Sequence, residues 1–368
     1  MTKMNKTVVV KVGTSSITDE EGKISQKSVA KICHEVADLK RSGNNVVIVT
    51  SGAIAAGLPF LGLTGEKRPQ DPSTLQAISA IGQGSLIGIY REELANHQLL
   101  AGQVLLAPLD FFVRSQYLHA RNTLMTLIDL GVIPVVNEND AIADDEIRFG
   151  DNDRIAALVA HLVEADLLVL LTDTSGLFTA DPRMDAEASL IEEIIEIDQE
   201  MEKYAGGSSS DRGSGGMASK LAAAKIASWS GVRTVIANAS RAEILKDACN
   251  EVGGIGTVVH PRDTRLNARK LWIAFAVGSN GQIMVDEGAR KALQGSASLL
   301  PTGVLKSIGD FEIGDAVEII DEKSKIFAKG IVRQDSKNVR KNAGLNTSQL
   351  PEDVSNEVIH TDDLVMLP

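Results

Sequence analysis

Three glycine-containing turns in this chain have the residue types that bind phosphate. They lie at residues 11–16, 50–53 and 213–217. The first two directly follow runs of β-branched residues, and the third precedes a helical pattern. Backbone N–H groups bind anions where glycine lets the backbone come close, and open α/β sheets bind ligands at the carboxyl ends of their strands. Together the turns indicate phosphate chemistry, although each one alone is more typical of a structural turn.

Two lysines adjoin these turns, and phosphoryl transfer needs cations around the transferred group. Lys11 interrupts the apolar run at residues 7–12, and we expect it to point inward at the ligand end of that strand. The alternative is an edge strand on which Lys11 faces water. Lys220 ends the Gly- and Ser-rich segment 205–220 at a predicted helix start, where the alternative is a plain linker followed by a solvated helix.

Two common phosphoryl-transfer architectures are not encoded here. The sequence contains neither a G-x-x-x-x-G-K-[ST] loop nor the H-R-D and D-F-G set of protein kinases. A phosphate site in this chain therefore needs a different cradle.

Polar side chains also gather beside the apolar runs, at residues 137–140, 150–153 and 172–173. Asn and Asp favour turns and helix caps, so a purely structural role remains open for each group. Together they offer amides and carboxylates for an ammonium group and for lysines, which suits an amino-acid substrate better than a sugar. Thr172 and Asp173 end a strand and are candidates for a nucleotide contact.

The elements that must position these residues form a βα series. Short β-branched runs alternate with helical patterns from residue 7 to about residue 260. Between the first two runs, apolar residues at helical spacing over residues 29–39 predict a helix with Ser25 as its cap and Gly43 as its stop. Such crossovers make neighbouring strands parallel, so the sequence predicts an α/β domain with a mostly parallel sheet.

A second domain is predicted at the carboxyl end of the chain. After residue 261 the long helical patterns are lost, and from about residue 280 short strands follow one another with turns at residues 308–310 and 313–315. We therefore predict a first domain over residues 1–260, a linker over 261–279 and a small all-β domain over 280–368.

Composition limits the function classes. The net charge of −12 disfavours non-specific nucleic-acid binding by the whole surface. The two cysteines, Cys33 and Cys249, lack a metal-like spacing and suit a reducing cytosol. No apolar run reaches the roughly 18 residues that span a bilayer, so we expect a cytoplasmic protein.

Six ordered motifs carry a resemblance to a known family. They are KVGTSS at residues 11–16, IVTSGAIAAG at 48–57, PVVNENDAIA at 134–143, FGDND at 149–153, LLTDTSGLFTADPR at 170–183 and GSGGMASK at 213–220. On these motifs the chain resembles, nearly end to end, the glutamate 5-kinases of the amino acid kinase superfamily. The resemblance implies a three-layer αβα kinase domain. It also implies transfer of the ATP γ-phosphate, with magnesium, to the side-chain carboxylate of glutamate, the first step of proline biosynthesis.

The resemblance also implies roles for individual residues. Lys11 and Lys220 would neutralise the transferring phosphoryl group, Asp153 would orient both lysines, and Gly13 and Gly52 would give close backbone approach. The residues implied to bind glutamate are Ser51, Asp140, Asn152 and Asn137. The residues implied to bind ATP are Lys11, Thr172, Asp173, Ser214, Gly215, Gly216, Met217, Ala218, Ser219 and Lys220.

One departure from the family pattern lies in the glycine loop. That loop usually reads G-T-G-G-M with a threonine before the lysine, and here Ser214 and Ser219 stand in the two threonine places. Both hydroxyl groups are retained, so the departure concerns the detail of the nucleotide contacts.

The carboxyl-terminal segment is similar to the PUA domain, a module otherwise common in RNA-modifying proteins. The similarity rests on GQIMVDEGARKAL, SLLPTGV, GDFEIGDAVEI and AKGIVRQDS. It leaves open an RNA-linked function, although few aromatic residues are present for base stacking and we favour a structural or regulatory role. Within the superfamily, aspartate kinase and acetylglutamate kinase remain alternatives. The family resemblance further implies a dimer or tetramer and feedback inhibition by proline.

Overall fold

A computed structural model describes residues 5–63, 69–111, 113–142, 152–180, 182, 184–185, 187–198, 201, 216–275, 277–351 and 354–367. The chain forms two compact units that divide between Arg265 and Leu266. This division lies inside the segment 261–279 for which the sequence predicts a linker. Within the described residues, no helix has the length and apolar character needed to cross a membrane.

The described residues of the first unit form an eight-stranded sheet. Its strands are β1 (Thr7–Val12), β2 (Asn45–Thr50), β3 (Ala101–Leu106), β4 (Ile133–Glu138), β5 (Leu167–Thr172), β6 (Glu193–Ile194), β7 (Arg233–Asn238) and β8 (Thr257–Val259). They lie in the order β3-β4-β2-β1-β5-β7-β8-β6, and every neighbouring pair is parallel except β7 and β8. The mostly parallel sheet that the sequence predicts is confirmed.

Helices flank this sheet. They are α1 (Thr14–Ile17), α2 (Gln26–Arg41), α3 (Ala53–Gly57), α4 (Pro72–Ala95), α5 (Arg114–Asp129), α6 (Asn152–Leu162), α7 (Met217–Trp229) and α8 (Ile244–Cys249). The side chain of Ser25 accepts a hydrogen bond from the backbone N–H of Ser28, so it caps α2 as predicted. Gly43 follows the end of α2 by two residues and has a φ of +87°, a conformation that glycine adopts without strain.

Successive residues of β1 point to opposite faces of the sheet, and this alternation sorts the helices into two layers. Val8, Val10 and Val12 pack in a buried cluster with residues of α2, α4 and α8. Lys11 has the opposite parity, and it contacts Asp153 of α6. Helix α6 therefore covers the other face, which gives the three layers of an αβα arrangement.

The second unit is built on a five-stranded sheet. Its strands are β9 (Ser279–Val285), β10 (Val304–Ile308), β11 (Ala316–Ile320), β12 (Ile326–Ile331) and β13 (Leu364–Met366), in the order β10-β9-β11-β12-β13. Only the pair β9 and β11 is parallel among these neighbours. The unit also includes the helices α9 (Ala268–Phe275), α10 (Glu287–Gln294) and α11 (Ser336–Asn342). Gly309 and Gly314, with φ +84° and +96°, form the two turns that the sequence predicts.

Candidate active site

The strands of the first unit end side by side at one edge of the sheet. Val12 pairs with Thr50 of β2 and with Leu171 of β5. The turns that follow β1, β2 and β5 therefore begin next to one another. This edge is where parallel α/β sheets bind ligands.

Lys11, Asp153 and Lys220 meet at this edge. The Nζ atom of Lys11 lies 2.6 Å from Oδ1 of Asp153, and Nζ of Lys220 lies 3.2 Å from Oδ2. Asp153 is 0% exposed, Lys11 3% and Lys220 5%. Because β1 is central in the sheet, the alternative of a water-facing Lys11 on an edge strand is wrong. One buried carboxylate thus holds two lysines that are far apart in the sequence.

The charge of Asp153 is maintained by its two partners. Burial by itself would raise the pKa of this carboxyl group, but the charges of Lys11 and Lys220 and their hydrogen bonds outweigh burial and lower the pKa. The hydroxyl group of Ser219 donates a further hydrogen bond of 3.2 Å to Oδ2. Asp153 is therefore an ionised anchor for the two ammonium groups.

Two alanine-rich helices bring these groups together. Asp153 lies in the first turn of α6, and Lys220 lies in the first turn of α7, whose amino-terminal cap is Gly216. The helices pack against each other, and the buried residues of both include small alanine side chains at 156, 157, 160, 223, 224 and 227. The small side chains allow close packing, which places the two helix starts within reach of one carboxylate.

The backbone of Gly13 lies beside the Lys11 ammonium group. A Cβ atom added at Gly13 would lie 3.6 Å from Nζ of Lys11 and 3.9 Å from Oγ of Ser16. That Ser16 hydroxyl group is buried and has no hydrogen-bond partner among the described residues. A glycine backbone beside a buried cation and an unpartnered hydroxyl group suits a phosphate oxygen.

Gly52 occupies a position that requires glycine. Its φ of +104° is a conformation that other residues rarely adopt, and an added Cβ atom would lie 3.0 Å from Cδ1 of Ile17. Gly52 precedes α3, and the neighbouring backbone N–H of Ser51 donates to the carbonyl oxygen of Val12 over 3.0 Å. Ser51 is half-buried.

The candidate glutamate-binding residues Asn137 and Asn152 converge on one backbone group. The N–H of Glu138 lies 2.9 Å from Oδ1 of Asn137 and 3.2 Å from Oδ1 of Asn152. Asn137 also donates through Nδ2 to Oε1 of Gln83 over 3.3 Å. The structure therefore brings the start of α6 next to the end of β4, as a shared substrate site requires.

Asp140 lies in the loop that follows β4 and contacts α4. The hydroxyl group of Ser79, which is fully buried, donates a hydrogen bond to Oδ2 of Asp140. Burial raises the pKa of Asp140, and the hydrogen bond from Ser79 opposes that effect. Ser79 and Gln83 were not singled out from the sequence. Their spacing of four residues in a helix, which places both on one face, is the signal that was available.

The candidate nucleotide contacts at the end of β5 form a small network. The Thr172 hydroxyl group donates to Oδ1 of Asp173 over 3.1 Å, and Nδ2 of Asn238 donates to the backbone oxygen of Asp173 over 3.0 Å. Thr172 is buried and Asp173 is exposed. This network joins the ends of β5 and β7.

The glycine loop is described only from its last residue before α7. Ser214 and Gly215 lie outside the described residues. Gly216 caps α7, Met217 packs beside a small apolar cluster that includes Leu177 and Leu221, and Ala218 is exposed. Ser219 and Lys220 are the residues of this segment that contact Asp153.

The described residues contain no group of three His, Cys, Asp or Glu side chains arranged to hold a metal ion. Both carboxylate oxygens of Asp153 are engaged by lysines.

Comparison with known proteins assigns both parts of the chain. Residues 6–238 match the amino acid kinase family, and residues 281–351 match the PUA domain. The chain is 44% identical over 366 residues to a glutamate 5-kinase of Caldanaerobacter subterraneus subsp. tengcongensis, which covers 98% of this chain and 97% of the relative. It is 43% identical over 371 residues to a glutamate 5-kinase of Dehalococcoides mccartyi, with 98% of each chain covered.

A solved structure supports the fold. Carbamate kinase from Giardia lamblia bound to AMP-PNP matches with a TM-score of 0.51 at 19% identity, over 70% of this chain and 99% of that chain. At this identity the likeness concerns the arrangement of strands and helices.

Proposed function

The chain belongs to the amino acid kinase family, in the group of the glutamate 5-kinases, and we propose that it transfers the γ-phosphate of ATP to the side-chain carboxylate of L-glutamate. The products are γ-glutamyl phosphate and ADP, and the reaction is the first step of proline biosynthesis. The observation that carries this function is the meeting of Lys11 and Lys220 on buried Asp153, at the ligand edge of the sheet.

The reaction needs no catalytic base. A carboxylate is already ionised at neutral pH, so one of its oxygens attacks the γ-phosphorus directly while the bond from that phosphorus to the β,γ-bridging oxygen breaks. The difficulty is repulsion, because an anionic nucleophile must approach a polyphosphate. The ammonium groups of Lys11 and Lys220 offset that repulsion in a site with little water. Asp153 holds both of them in place, and Gly13 and Gly52 allow the backbone to approach.

We assign the nucleotide to the turns after β1 and β5 and to the start of α7. The residues are Lys11, Thr172, Asp173 and the segment 214–220. The glycine backbone beside the Lys11 ammonium group and the unpartnered Ser16 hydroxyl group support phosphate binding there. Magnesium would be bound mainly by the phosphate oxygens, and it would add positive charge to the transferring group.

We assign glutamate to the neighbouring turns after β2 and β4. Asp140 provides a carboxylate for the α-ammonium group, and Ser51, Asn137 and Asn152 provide hydrogen-bonding groups for the carboxylates. The contact of Asn137 and Asn152 with one N–H group supports a common site. On this proposal, glutamate lies on the β2 side of Lys11 and ATP lies on the β5 side.

The assay that tests the function is trapping of the acyl phosphate with hydroxylamine. Glutamate, aspartate and N-acetylglutamate are compared side by side with ATP and magnesium. We expect hydroxamate only with glutamate, because the full-length relatives are glutamate 5-kinases. Hydroxamate only with aspartate or with N-acetylglutamate would assign the chain to another enzyme of the superfamily.

For the PUA domain we propose a structural or regulatory role. Phe311 and Phe327 lie in the buried core of the second unit, so they offer no surface for stacking bases. Arg340, in the basic stretch of α11, pairs with Asp310 over 2.9 Å. A gel-shift experiment with cellular RNA at physiological salt tests this assignment. Tight and salt-dependent binding would favour the RNA-linked alternative instead.

We further propose a cytoplasmic homo-oligomer, a dimer or tetramer, that proline inhibits at or beside the glutamate site. The support is the family resemblance and, for the compartment, the buried free thiols of Cys33 and Cys249. Size-exclusion chromatography and inhibition kinetics with proline test these points. The functional domain bounds 1–260 and 280–368 are likewise a proposal, and limited proteolysis tests them. Cleavage only before α9 (Ala268–Phe275) would instead place the start of the second domain at that helix.

A further inference from the structure

Two polar side chains of α4 anchor the loop that follows β4. Ser79 donates a hydrogen bond to Oδ2 of Asp140. Gln83, one turn further along the helix, donates through Nε2 to the backbone oxygen of Glu138 over 3.2 Å and accepts through Oε1 from Asn137 over 3.3 Å. One face of α4 thus contacts both ends of the proposed glutamate-binding loop.

The position of α4 is set by a backbone contact with α3 at Gly82, which lies between Ser79 and Gln83 in the sequence. Gly82 packs directly on α3, where an added Cβ atom would lie 1.8 Å from the backbone oxygen of Ala53. Gly57 of α3 packs nearly as closely, because its added Cβ atom would lie 2.2 Å from the backbone oxygen of Ile78. Helix α3 begins directly after Gly52. The face of α4 that carries Ser79 is therefore fixed relative to the ligand edge of the sheet.

The chemistry of the two groups determines which of them donates the hydrogen bond between Ser79 and Asp140. An ionised carboxylate only accepts hydrogen bonds, so the Ser79 hydroxyl group is the donor. Ser79 is 0% exposed, and water does not compete for this hydroxyl group. The bond occupies Oδ2 of Asp140. A carboxylate fixed through one oxygen presents its other oxygen in a defined direction, which suits a bound ammonium group.

We propose that Ser79 is a positioning residue, whose hydroxyl group holds the Asp140 carboxylate in the orientation that accepts the ammonium group of the amino-acid substrate. This inference rests on the proposed function. Ser79 acts through Asp140 and does not itself contact the reacting atoms. Its contribution is therefore to glutamate binding rather than to the chemical step.

The first experiment compares Ser79→Ala with Ser85→Ala in steady-state kinetics of the full chain. Ser85 lies in the same helix, is half-buried, and its side chain makes no hydrogen bond within the described part of the chain. Ser79→Ala should raise the KM for glutamate about tenfold or more, as expected for loss of a hydrogen bond to a charged group. The kcat and the KM for ATP should stay nearly unchanged, and Ser85→Ala should behave as wild type.

Two variants with side chains of equal shape distinguish the effect of the hydroxyl group from the effect of packing. Ser79→Thr retains the hydroxyl group and Ser79→Val replaces it with a methyl group, so both variants add the same bulk at a buried position. We expect a clearly lower KM for glutamate in the Thr variant than in the Val variant. Equal KM values in the two variants would overturn the proposal, even if the Ala variant folds poorly.

A double-mutant cycle tests whether Ser79 acts through Asp140. In the Asp140→Ala background, which has no acceptor for the Ser79 hydroxyl group, Ser79→Ala should cause little further rise in the KM for glutamate. A full and additive rise would overturn the positioning role. Failure of the proposed function appears separately, because the wild-type chain would then form no hydroxamate with glutamate at all.

Discussion

The ammonium nitrogen of Lys11 lies 2.6 Å from Oδ1 of Asp153, and both side chains are almost completely buried. Removing two opposite charges from water is unfavourable unless they are paired closely, as they are here. Lys220 contacts the second oxygen of the same carboxylate. The three side chains together carry one excess positive charge, which prepares the site for an anion such as a phosphate group.

Removal of the Lys220 charge should reduce the rate of the chemical step. We expect Lys220→Ala to lower kcat by about a hundred- to a thousandfold, the usual effect of losing one group that stabilises transition-state charge. The KM for glutamate should rise much less, because the ammonium group matters most in the transition state. Steady-state kinetics with both substrates varied measures the two effects.

Lys225→Ala provides the control for this change. Lys225 lies in the same helix, α7, and is not among the residues assigned to the site. This variant should retain a near-normal kcat. A near-normal kcat in Lys220→Ala as well would remove Lys220 from the mechanism.

The activity should depend on the hydroxyl group at position 219 rather than on the remainder of the side chain. It donates a 3.2 Å hydrogen bond to Oδ2 of Asp153, the oxygen that also contacts Lys220. We expect Ser219→Ala to lower kcat roughly tenfold, as for loss of a hydrogen bond to a charged group. Ser219→Thr should retain most of the activity, because threonine keeps the hydroxyl group that donates to Asp153. If the Ala and Thr variants were equally impaired, the hydroxyl group would have no special role.

Substitution by alanine at two glycines of α4 should change the free energy of unfolding in opposite directions. Gly82→Ala should lower the free energy of unfolding by about 2 kcal/mol or more, because the new Cβ atom would lie 1.8 Å from a backbone oxygen of α3. Gly84→Ala should raise it by up to about 1 kcal/mol, since that position is open and alanine favours helix. Urea unfolding of the two variants provides the comparison. Equal effects would contradict the close contact between α3 and α4.

His161, in α6, should make stability depend on pH. Burial lowers the pKa of His161 from 6.5 to about 4, with smaller contributions from Arg265 and Arg121 that Glu164 opposes. The unfolded chain therefore binds a proton between pH 6.5 and 4 that the folded chain does not bind. Stability should be full above pH 6.5 and should fall by at most roughly 3 kcal/mol as the pH drops to 4.

Urea unfolding of His161→Leu across this pH range tests the assignment. The variant should show a flatter pH dependence than wild type between pH 6.5 and 4. His119→Gln, at an exposed position of α5, should keep the wild-type dependence. An unchanged slope in His161→Leu would mean that other groups cause the acid sensitivity.

Much of the first unit could be predicted because its strands are short β-branched runs with polar turns at their ends. The predicted inward direction of Lys11 follows from a lysine inside an apolar strand, and the structure confirms it. The direction of β8 could not be predicted in the same way. A run of three buried residues has no pattern that distinguishes a parallel from an antiparallel neighbour, and β8 runs antiparallel to β7.

The site is less predictable where helices contribute to it. Ser79 and Gln83 lie in α4, a helix of 24 residues with apolar residues on several sides, so no single polar stripe marks them. Their contacts with Asp140 and Asn137 depend on the packing of α4 against α3 through Gly82 and Gly57. Packing of this kind depends on tertiary structure, which spacing along the sequence does not encode directly.

The most direct test of the central claim is a crystal structure with glutamate and a non-hydrolysable ATP analogue bound. We predict that the Nζ atoms of Lys11 and Lys220 lie within hydrogen-bonding distance of the terminal phosphate oxygens, with the glutamate side-chain carboxylate facing that phosphate. A terminal phosphate bound away from both lysines, with the Lys11–Asp153–Lys220 cluster in contact with neither ligand, would contradict the account.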